Sequence, residues 1–284
     1  MTVLRIATRT SALAIAQCEL VAARLRTAHP GLATELVGVT TAGDTDHTSP
    51  IAALTEMGAF VRSVQAAVLD GRADIAVHSC KDLPTESPLD IAAFPERANP
   101  YDVLVGTRWS DLPTGAIIGT GSPRRVEQLK RLREDLGFVE LRGNVETRIS
   151  KIASGAADAA VLAHAGLSRL GRQDSISSIF HLEEMVPAPA QGIIAVEADP
   201  DSEAHGLVSA IDDARVRRQA ETERGLLVAT GAGCRTSLAA LAVLHGSDIH
   251  FTVFVADGAG PRRVTVTATS PETAVEAARS AMEI

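Results

Sequence analysis

Short β-branched apolar runs alternate with Ala- and Leu-rich helical patterns through the first half of the sequence. The run Val3–Thr8 predicts a strand, Ser11 caps a helix that extends to about Thr27, and Leu32–Thr40 predicts a second strand. The alternation continues with predicted strands at Ala73–His78, Val103–Thr107, Ala116–Thr120 and Asp158–Leu162, and with predicted helices at Gly58–Asp70, Ser122–Arg133 and Asn144–Ser154. Repeats of this kind imply an α/β fold with a mostly parallel sheet covered by helices.

Two heptapeptides in this region are similar to each other. The segments Gly71–Val77 and Gly155–Val161 match at five of seven positions, and both lie where a helix is followed by a strand. One interpretation is a pair of similar lobes that face each other across a cleft, each with a helix N-terminus directed at an anionic ligand. The other interpretation is the general likeness of Ala-rich α/β units. The sequence leaves both open.

The last part of the chain has a different pattern. A predicted helix at Glu221–Thr230 ends at a Gly-Ala-Gly turn, and three alternating segments then predict antiparallel strands at Leu238–Leu244, Ile249–Ala256 and Arg263–Thr269. Ser270 caps a final predicted helix at Pro271–Met282. These elements indicate a small α+β domain at the C-terminal end.

Composition narrows the class of ligand and the compartment. The 27 Lys and Arg residues against 35 Asp and Glu give a net charge of −8, and aromatic residues are 3% of the chain. Nucleic-acid binding is disfavoured, because it uses basic surfaces and aromatic stacking.

No apolar run reaches the ~18 residues of a membrane span, and we expect a cytoplasmic protein without a membrane partner. Cys18, Cys80 and Cys234 show no disulfide or metal spacing, so we expect reduced thiols and no metal site.

Arginine residues collect at three predicted strand-to-helix junctions, where α/β folds bind their ligands. They are Arg9 at the first junction and Arg124, Arg125, Arg142 and Arg148 at the other two. The helix dipole disfavours a cation in the first helical turn by a few tenths to about 1 kcal/mol. The adjacent pair Arg124 and Arg125 therefore predicts an anionic ligand, a carboxylate or a phosphate. The alternative is a solvated basic face.

Two further segments carry reactive side chains. Lys81 and Asp82 follow a predicted strand, and Asp82 could move protons or stabilise a developing cation. The alternative for these two residues is a surface ion pair. For the neighbouring His78 the sequence favours a satisfied strand-end histidine over a catalyst, and for Cys80 a packed small side chain over a nucleophile. Cys234 lies beside Arg235 in a Gly-rich turn, where a neighbouring cation favours the nucleophilic thiolate. An ordinary loop cysteine is the alternative there.

Taken in order, these motifs resemble those of the porphobilinogen deaminase (hydroxymethylbilane synthase) family. The matching stretches are Ile6-Ala-Thr-Arg-Thr-Ser-Ala-Leu-Ala14, Thr41-Ala-Gly-Asp44, His78-Ser-Cys-Lys-Asp-Leu-Pro84, Gly119-Thr-Gly-Ser-Pro-Arg-Arg125, Leu141-Arg-Gly-Asn-Val-Glu-Thr-Arg148, Leu162-Ala-His-Ala-Gly-Leu-Ser-Arg-Leu-Gly171, Pro187-Ala-Pro-Ala-Gln-Gly192, Glu223-Arg224 and Gly233-Cys234. The resemblance implies an α/β fold of three domains, with two lobes like periplasmic binding proteins, each with a mixed sheet, and a small α+β C-terminal domain. The expected boundaries are 1–97 with 191–212, 98–190, and 213–284. We expect a monomer.

The resemblance also implies a transferase that joins four porphobilinogen molecules head to tail, with loss of ammonia, to give hydroxymethylbilane for heme and porphyrin biosynthesis. The implied cofactor is dipyrromethane, covalently attached to Cys234. Asp82 is the implied catalytic residue, which would contact pyrrole N–H groups and stabilise the cation formed when ammonia leaves. The residues implied to hold the cofactor are Lys81, Asp82, Ser122, Arg124, Arg125 and Arg148. Those implied to bind the carboxylates of porphobilinogen and of the growing polycarboxylate pyrrole chain are Arg9, Ser11, Thr120, Arg142 and Arg169.

Two alternatives remain beside this enzyme. One is a divergent paralogue without full turnover, because Thr55–Phe60 and Ala190–Gly192 depart from the family pattern. The other is a two-lobe anion-binding protein without catalysis, which the presence of Asp82 and Cys234 disfavours. The polar stretch Thr41–Glu56 is typical of a lid or a binding loop.

Overall fold

The computed structural model of the chain describes residues 3–39, 59–231 and 236–284. The predicted loop Thr41–Glu56 and Cys234 lie outside the described residues. The described residues form two compact units, one from Met1–Arg97 and Ile193–Arg217 and one from Ala98–Gly192 and Arg218–Ile284. The expected division into three domains stays a prediction.

The elements of the first half follow the predicted alternation. In chain order they are β1 (Val3–Arg9), α1 (Ala12–Ala28), β2 (Ala33–Val39), α2 (Ala59–Leu69), β3 (Ile75–Ser79), β4 (Asp90–Ala93), β5 (Asp102–Gly106), β6 (Ile117–Gly119), α3 (Pro123–Leu132) and β7 (Gly137–Val139). The second half contains α4 (Val145–Ala153), β8 (Ala159–Ala163), α5 (His164–Arg169), β9 (Ile176–Ile179), β10 (Ile194–Ala198), α6 (Glu203–Ser209), α7 (Ala214–Thr230), β11 (Ser237–His245), β12 (Asp248–Asp257), β13 (Gly260–Ala268) and α8 (Pro271–Met282).

The first unit is built on a five-stranded sheet with the order β2-β1-β3-β10-β4. The strand β1 is parallel to β2 and β3, whereas β10 is antiparallel to β3 and β4. Helix α1 packs on this sheet, and its Leu25 is buried together with Ile6, Ile75 and Val196. Burial of an aliphatic side chain of this size stabilises the fold by roughly 1.5–3 kcal/mol.

The second unit repeats this arrangement in a five-stranded sheet with the order β7-β6-β8-β5-β9. Here β6 is parallel to β7 and β8, and β5 is antiparallel to β8 and β9. The two similar heptapeptides lead into β3 and β8, which occupy the central position of their sheets. Their likeness therefore reflects a repeated topology, as the two-lobe interpretation predicts.

The prediction of a mostly parallel sheet is wrong, because both sheets are mixed. In each, two of the four strand pairings are antiparallel. The strand β10 joins the first sheet from a distant part of the chain, without a crossover helix from β3, so the rule for strand–helix repeats does not apply to it. The α/β class with mixed sheets, which the family resemblance implies, is confirmed.

The C-terminal part forms the predicted antiparallel sheet, with the order β11-β12-β13. Ser270 caps α8 through a capping box with Thr273, and α8 covers a core that includes Phe251 and Val253. Helix α7 begins at Ala214, seven residues before the predicted start. None of the described helices is long and apolar enough to cross a membrane.

One residue that departs from the family pattern has an unusual backbone conformation. Ala190 has a φ of 60°, a left-handed conformation that glycine adopts more easily. Its N–H donates to Oε2 of the buried Glu223 at 2.6 Å, and Oε1 of the same side chain accepts the N–H of Ala242 at 2.8 Å. Glu223 therefore ties the segment around Ala190 to the C-terminal sheet.

Candidate active site

A cavity of about 270 Å³ lies at the edge of the first sheet where the parallel strands β1 and β3 end. Arg9 ends β1, Ser11 is the N-cap of α1, and Asp82 lies in a 3-10 turn after β3. All three side chains line the cavity. Ser11 accepts the N–H of Ala14 at 3.4 Å, which starts α1 directly after the strand and keeps Arg9 beside the helix N-terminus. The fold thus brings three predicted site residues together.

Further polar and aromatic side chains line the same cavity. The guanidinium carbon of Arg9 is 4.3 Å from the ring centroid of Phe60, a cation–π contact. Gln17, on the buried face of α1, donates from Nε2 to Oγ of Ser79 at 2.9 Å. Neither Gln17 nor Phe60 was a predicted site residue. A polar Gln on an apolar helix face was the signal that could have indicated Gln17.

A buried carboxylate contacts another residue of the cavity wall. Glu197 on β10 is fully buried, and its Oε2 lies 3.0 Å from Nε2 of His78. Gln65 donates to both carboxylate oxygens at 3.0 and 3.1 Å, and the Ser87 hydroxyl donates to Oε1 at 2.5 Å. Burial by itself raises the pKa of Glu197, but the contacts with His78, Ser87 and Gln65 outweigh burial and lower it. Glu197 is therefore ionised at neutral pH.

The second unit holds most of the other predicted binding residues, at the junctions that precede α3 and α4. Ser122 is the N-cap of α3, although among the described residues its side chain makes no capping hydrogen bond. The backbone N–H of Ser122 donates to Oγ1 of Thr120 at 3.2 Å. Pro123 occupies the first helical turn, where its fixed φ suits the start of a helix.

Three of the predicted arginines of this unit contact backbone or side-chain oxygens. Arg148 donates from Nε to the carbonyl oxygen of Gly143 at 2.9 Å, in the turn where Asn144 caps α4. Arg142 donates from Nη2 to Oε2 of Glu140 at 3.3 Å. Arg169, at the end of α5, donates from Nη2 to the carbonyl oxygen of Gly192 at 2.8 Å.

Arg124 and Arg125 are buried and share a carboxylate of the protein itself. Arg124 donates to Oδ2 of Asp102 at 2.7 Å, and Arg125 donates to Oδ1 at 2.7 Å. Gln191 also donates to Oδ1, at 3.0 Å, and Asp102 is fully buried. The position of these two arginines predicted an external anionic ligand. That argument is wrong, because the anion they bind is the carboxylate of Asp102. Their assignment to the cofactor stays a prediction.

We expect Asp102→Asn to lower the free energy of unfolding of the second unit by about 3–5 kcal/mol, because it leaves two buried guanidinium groups without a counter-charge. Urea denaturation at neutral pH measures this change. The matched control is Asp135→Asn, which removes the partly exposed pair between Asp135 and Arg133, and its effect should be much smaller. Equal effects of the two variants would contradict a stabilising role of the buried cluster.

The same cluster makes stability depend on pH. Burial would raise the pKa of Asp102, but the charges of Arg124 and Arg125 outweigh burial and hold the pKa well below its usual range. The stabilisation is therefore complete above the unfolded carboxyl pKa of about 3.9 and declines as the pH falls toward the lower folded pKa. Acid unfolding of the wild type and of Asp102→Asn should show the wild-type advantage shrinking below that pH.

The structure describes two of the three cysteines, Cys18 and Cys80. Cys18 and Cys80 are buried and carry no disulfide. Burial raises the pKa of the Cys18 thiol to about 12, which makes it a poor nucleophile. Cys80 begins the turn that continues with the half-buried Lys81 and the exposed Asp82. Cys234 lies outside the described residues, so its role stays a prediction. Among the described residues, no group of three or more His, Cys, Asp or Glu could hold a metal ion.

Comparisons with family models and with individual proteins identify the same family. Residues 4–205 match the family "Porphobilinogen deaminase, dipyromethane cofactor binding domain". The chain is 43% identical over 270 residues to a porphobilinogen deaminase of Acidothermus cellulolyticus, which covers 92% of this chain and 81% of the relative. It is also 43% identical over 252 residues to one of Roseiflexus castenholzii, covering 87% of this chain and 83% of the relative.

Similarity to solved structures is more distant. The VFT2 domain of BvgS from Bordetella pertussis aligns with a TM-score of 0.45 and 19% identity, over 74% of this chain and 86% of that chain. An ancestral arginine-binding protein bound to arginine aligns with a TM-score of 0.41 and 15% identity, over 74% of this chain and 91% of that chain.

Proposed function

This chain belongs to the porphobilinogen deaminase family, and we propose that it is a transferase that condenses four molecules of porphobilinogen, with release of ammonia, to give hydroxymethylbilane. The observation that carries the proposal is the cavity of the first unit, where Asp82 lies with Arg9 and Ser11. A carboxylate and a cation beside a helix N-terminus suit a ligand that combines pyrrole N–H groups with carboxylates. The 43% identity to named porphobilinogen deaminases supports the same reaction.

The donor chemistry of this cavity also fits the family's cofactor. We assign dipyrromethane, attached through the sulfur of Cys234; when bound, it supplies the pyrrole carbon from which the chain is extended. Asp82 would accept hydrogen bonds from pyrrole N–H groups, and cationic and hydroxyl side chains would hold the carboxylates. The residues assigned to the cofactor are Lys81, Asp82, Ser122, Arg124, Arg125 and Arg148.

In the reaction itself, Asp82 has an electrostatic task. When the aminomethyl group of porphobilinogen loses ammonia, positive charge develops on the pyrrole, and a carboxylate held in place beside it lowers the energy of that charge. The side chain is exposed at the cavity, so a substrate can reach it. The residues assigned to the substrate carboxylates are Arg9, Ser11, Thr120, Arg142 and Arg169.

The finer organisation is part of the same proposal. We expect domains at 1–97 with 191–212, at 98–190 and at 213–284, the last carrying Cys234. We also expect a cytoplasmic monomer that acts in heme and porphyrin biosynthesis and binds neither nucleic acid nor membranes.

Incubation with porphobilinogen tests the proposal. We expect four molecules of ammonia released for each hydroxymethylbilane formed, measured by an ammonia assay and by chromatography of the product. A simple anion-binding protein would bind porphobilinogen without releasing ammonia, and that result would contradict the proposed function. A divergent paralogue would release less ammonia than one hydroxymethylbilane requires and would stop before product.

A further inference from the structure

A histidine in the wall of the Asp82 cavity pairs with a fully buried carboxylate, and neither side chain has a part in the proposed reaction so far. His78 lines the cavity and is 7% exposed. Its Nε2 is 3.0 Å from Oε2 of the fully buried Glu197. The sequence favoured a satisfied strand-end histidine at this position. The structure gives that histidine a specific partner and places it on the same cavity as the implied catalytic carboxylate.

The identity of the partner determines which ring nitrogen carries hydrogen. Glu197 is ionised and can only accept hydrogen, so its charge favours the tautomer with hydrogen on Nε2, the ring nitrogen 3.0 Å away, although this N–H is not aligned for a hydrogen bond. In a neutral imidazole the other nitrogen, Nδ1, is then unprotonated and can accept a proton. The other described groups that contact Glu197 are the uncharged side chains of Gln65 and Ser87, which hold the carboxylate in place.

We propose that His78 is a second catalytic residue of this cavity, that Glu197 is its positioning residue, and that Nδ1 of His78 accepts the proton lost from a pyrrole α-carbon in each coupling. This inference rests on the proposed function. It divides two tasks: Asp82 stabilises the cation formed when ammonia leaves, and His78 removes the proton that restores the aromatic ring. Carboxylate-oriented histidines perform such proton transfers in other enzymes.

The atoms of the step balance. A C–C bond forms between the α-carbon and the aminomethyl carbon of porphobilinogen, whose C–N bond has broken to release ammonia. The α-carbon loses its hydrogen as a proton to Nδ1 of His78, and the C–H electron pair returns to the ring. Glu197 stabilises the resulting imidazolium. The imidazolium then passes the proton to the released ammonia, which becomes ammonium, and His78 returns to its neutral form.

The tautomer of His78 is a readout that does not depend on activity. In protein labelled with ¹⁵N in the histidine rings, the signals of His78 are those missing from His78→Gln. We expect neutral wild-type His78 to be protonated at Nε2 and unprotonated at Nδ1. In Glu197→Gln we expect a mixture of tautomers, because an amide can both donate and accept. A wild-type His78 protonated at Nδ1, or an unchanged tautomer in Glu197→Gln, would overturn the positioning role.

Kinetics of His78→Gln test the catalytic role. The glutamine amide can still donate to Glu197, but it offers no base in place of Nδ1, so we expect turnover to fall about 10²–10⁴-fold. Porphobilinogen deuterated at its free α-carbon should show a larger isotope effect in this variant than in the wild type, because proton loss becomes slower. His205→Gln is the matched control: it makes the same substitution in α6 of the same unit, at a histidine that does not line the cavity, and should turn over close to the wild type.

The outcomes separate this inference from the proposed function. Wild-type turnover in His78→Gln overturns the inference alone, as does reduced turnover with an unchanged isotope effect, which would indicate a structural role. If His78→Gln does not fold, the tautomer and isotope effect of Glu197→Gln decide the same question, with His78 signals assigned by sequential NMR. A wild-type protein that does not consume porphobilinogen overturns the proposed function, and this inference with it.

Discussion

Cys234→Ser is expected to leave the protein without its cofactor and to abolish hydroxymethylbilane formation. Attachment requires a thiolate, and a serine hydroxyl remains protonated at neutral pH and is a weak nucleophile without an activating base. The intact mass of the purified variant should equal that of the unmodified chain, and incubation with porphobilinogen should release no more ammonia than a blank. Unchanged turnover in this variant would contradict the assignment of Cys234.

Cys18→Ala is the matched control for that experiment. Cys18 is a buried thiol with a raised pKa, so it packs as a small apolar side chain and does not react. We expect the control to keep the cofactor mass and most of its turnover. Loss of cofactor from both variants would mean that the effect is not specific to Cys234.

The second large effect is expected for Asp82→Asn, which should keep the cofactor and lose turnover. The amide preserves the size of the side chain but removes the negative charge that stabilises the cation formed as ammonia leaves. We expect kcat to fall by about 10²–10⁴-fold, the range typical of a missing acid–base or charge-stabilising group. Intact mass checks the cofactor, and initial rates of ammonia release check turnover.

Asp90→Asn provides the matched control in the same unit. Asp90 is an exposed carboxylate at the start of β4 and does not line the described cavity. Its variant should behave as the wild type. Near-normal product formation by Asp82→Asn would mean that another group is the catalytic carboxylate.

Much of the fold was predictable because local signals determine where its helices begin. Ser11, Asn144 and Ser270 each cap a helix through the side chain, as expected for these residue types. The strand-to-helix junctions that follow β1 and β6 were predicted for the same reason. The placement of Arg9, Ser11 and Asp82 on one cavity follows from parallel strands whose ends share a sheet edge.

Elements defined by tertiary contacts were not predictable in the same way. The five residues of β10 are all buried, but a short apolar run alone does not show that it pairs antiparallel with β3 and β4. The first turn of α7 is rich in Arg and has no apolar stripe. Arg217 in that turn pairs with Asp212, and Arg218 donates to the carbonyl oxygens of Ser247 and Thr269.

The partners of the site residues lie far away in sequence, which explains why they were missed. Asp102 is 22 residues from Arg124 and 89 from Gln191, and Glu197 is 132 residues from Gln65. Nothing in the local sequence around Arg124 and Arg125 indicates a buried carboxylate partner. The same distance in sequence hides the contact between His78 and Glu197.

The intact mass of the purified wild-type protein shows whether dipyrromethane is attached to Cys234. We predict a mass increment of two pyrrole units, located on the peptide that contains Cys234, or its appearance after incubation of apoprotein with porphobilinogen or hydroxymethylbilane. An unmodified mass that neither compound changes would contradict the account, because the chain would then have kept the cavity without the group on which its product is assembled.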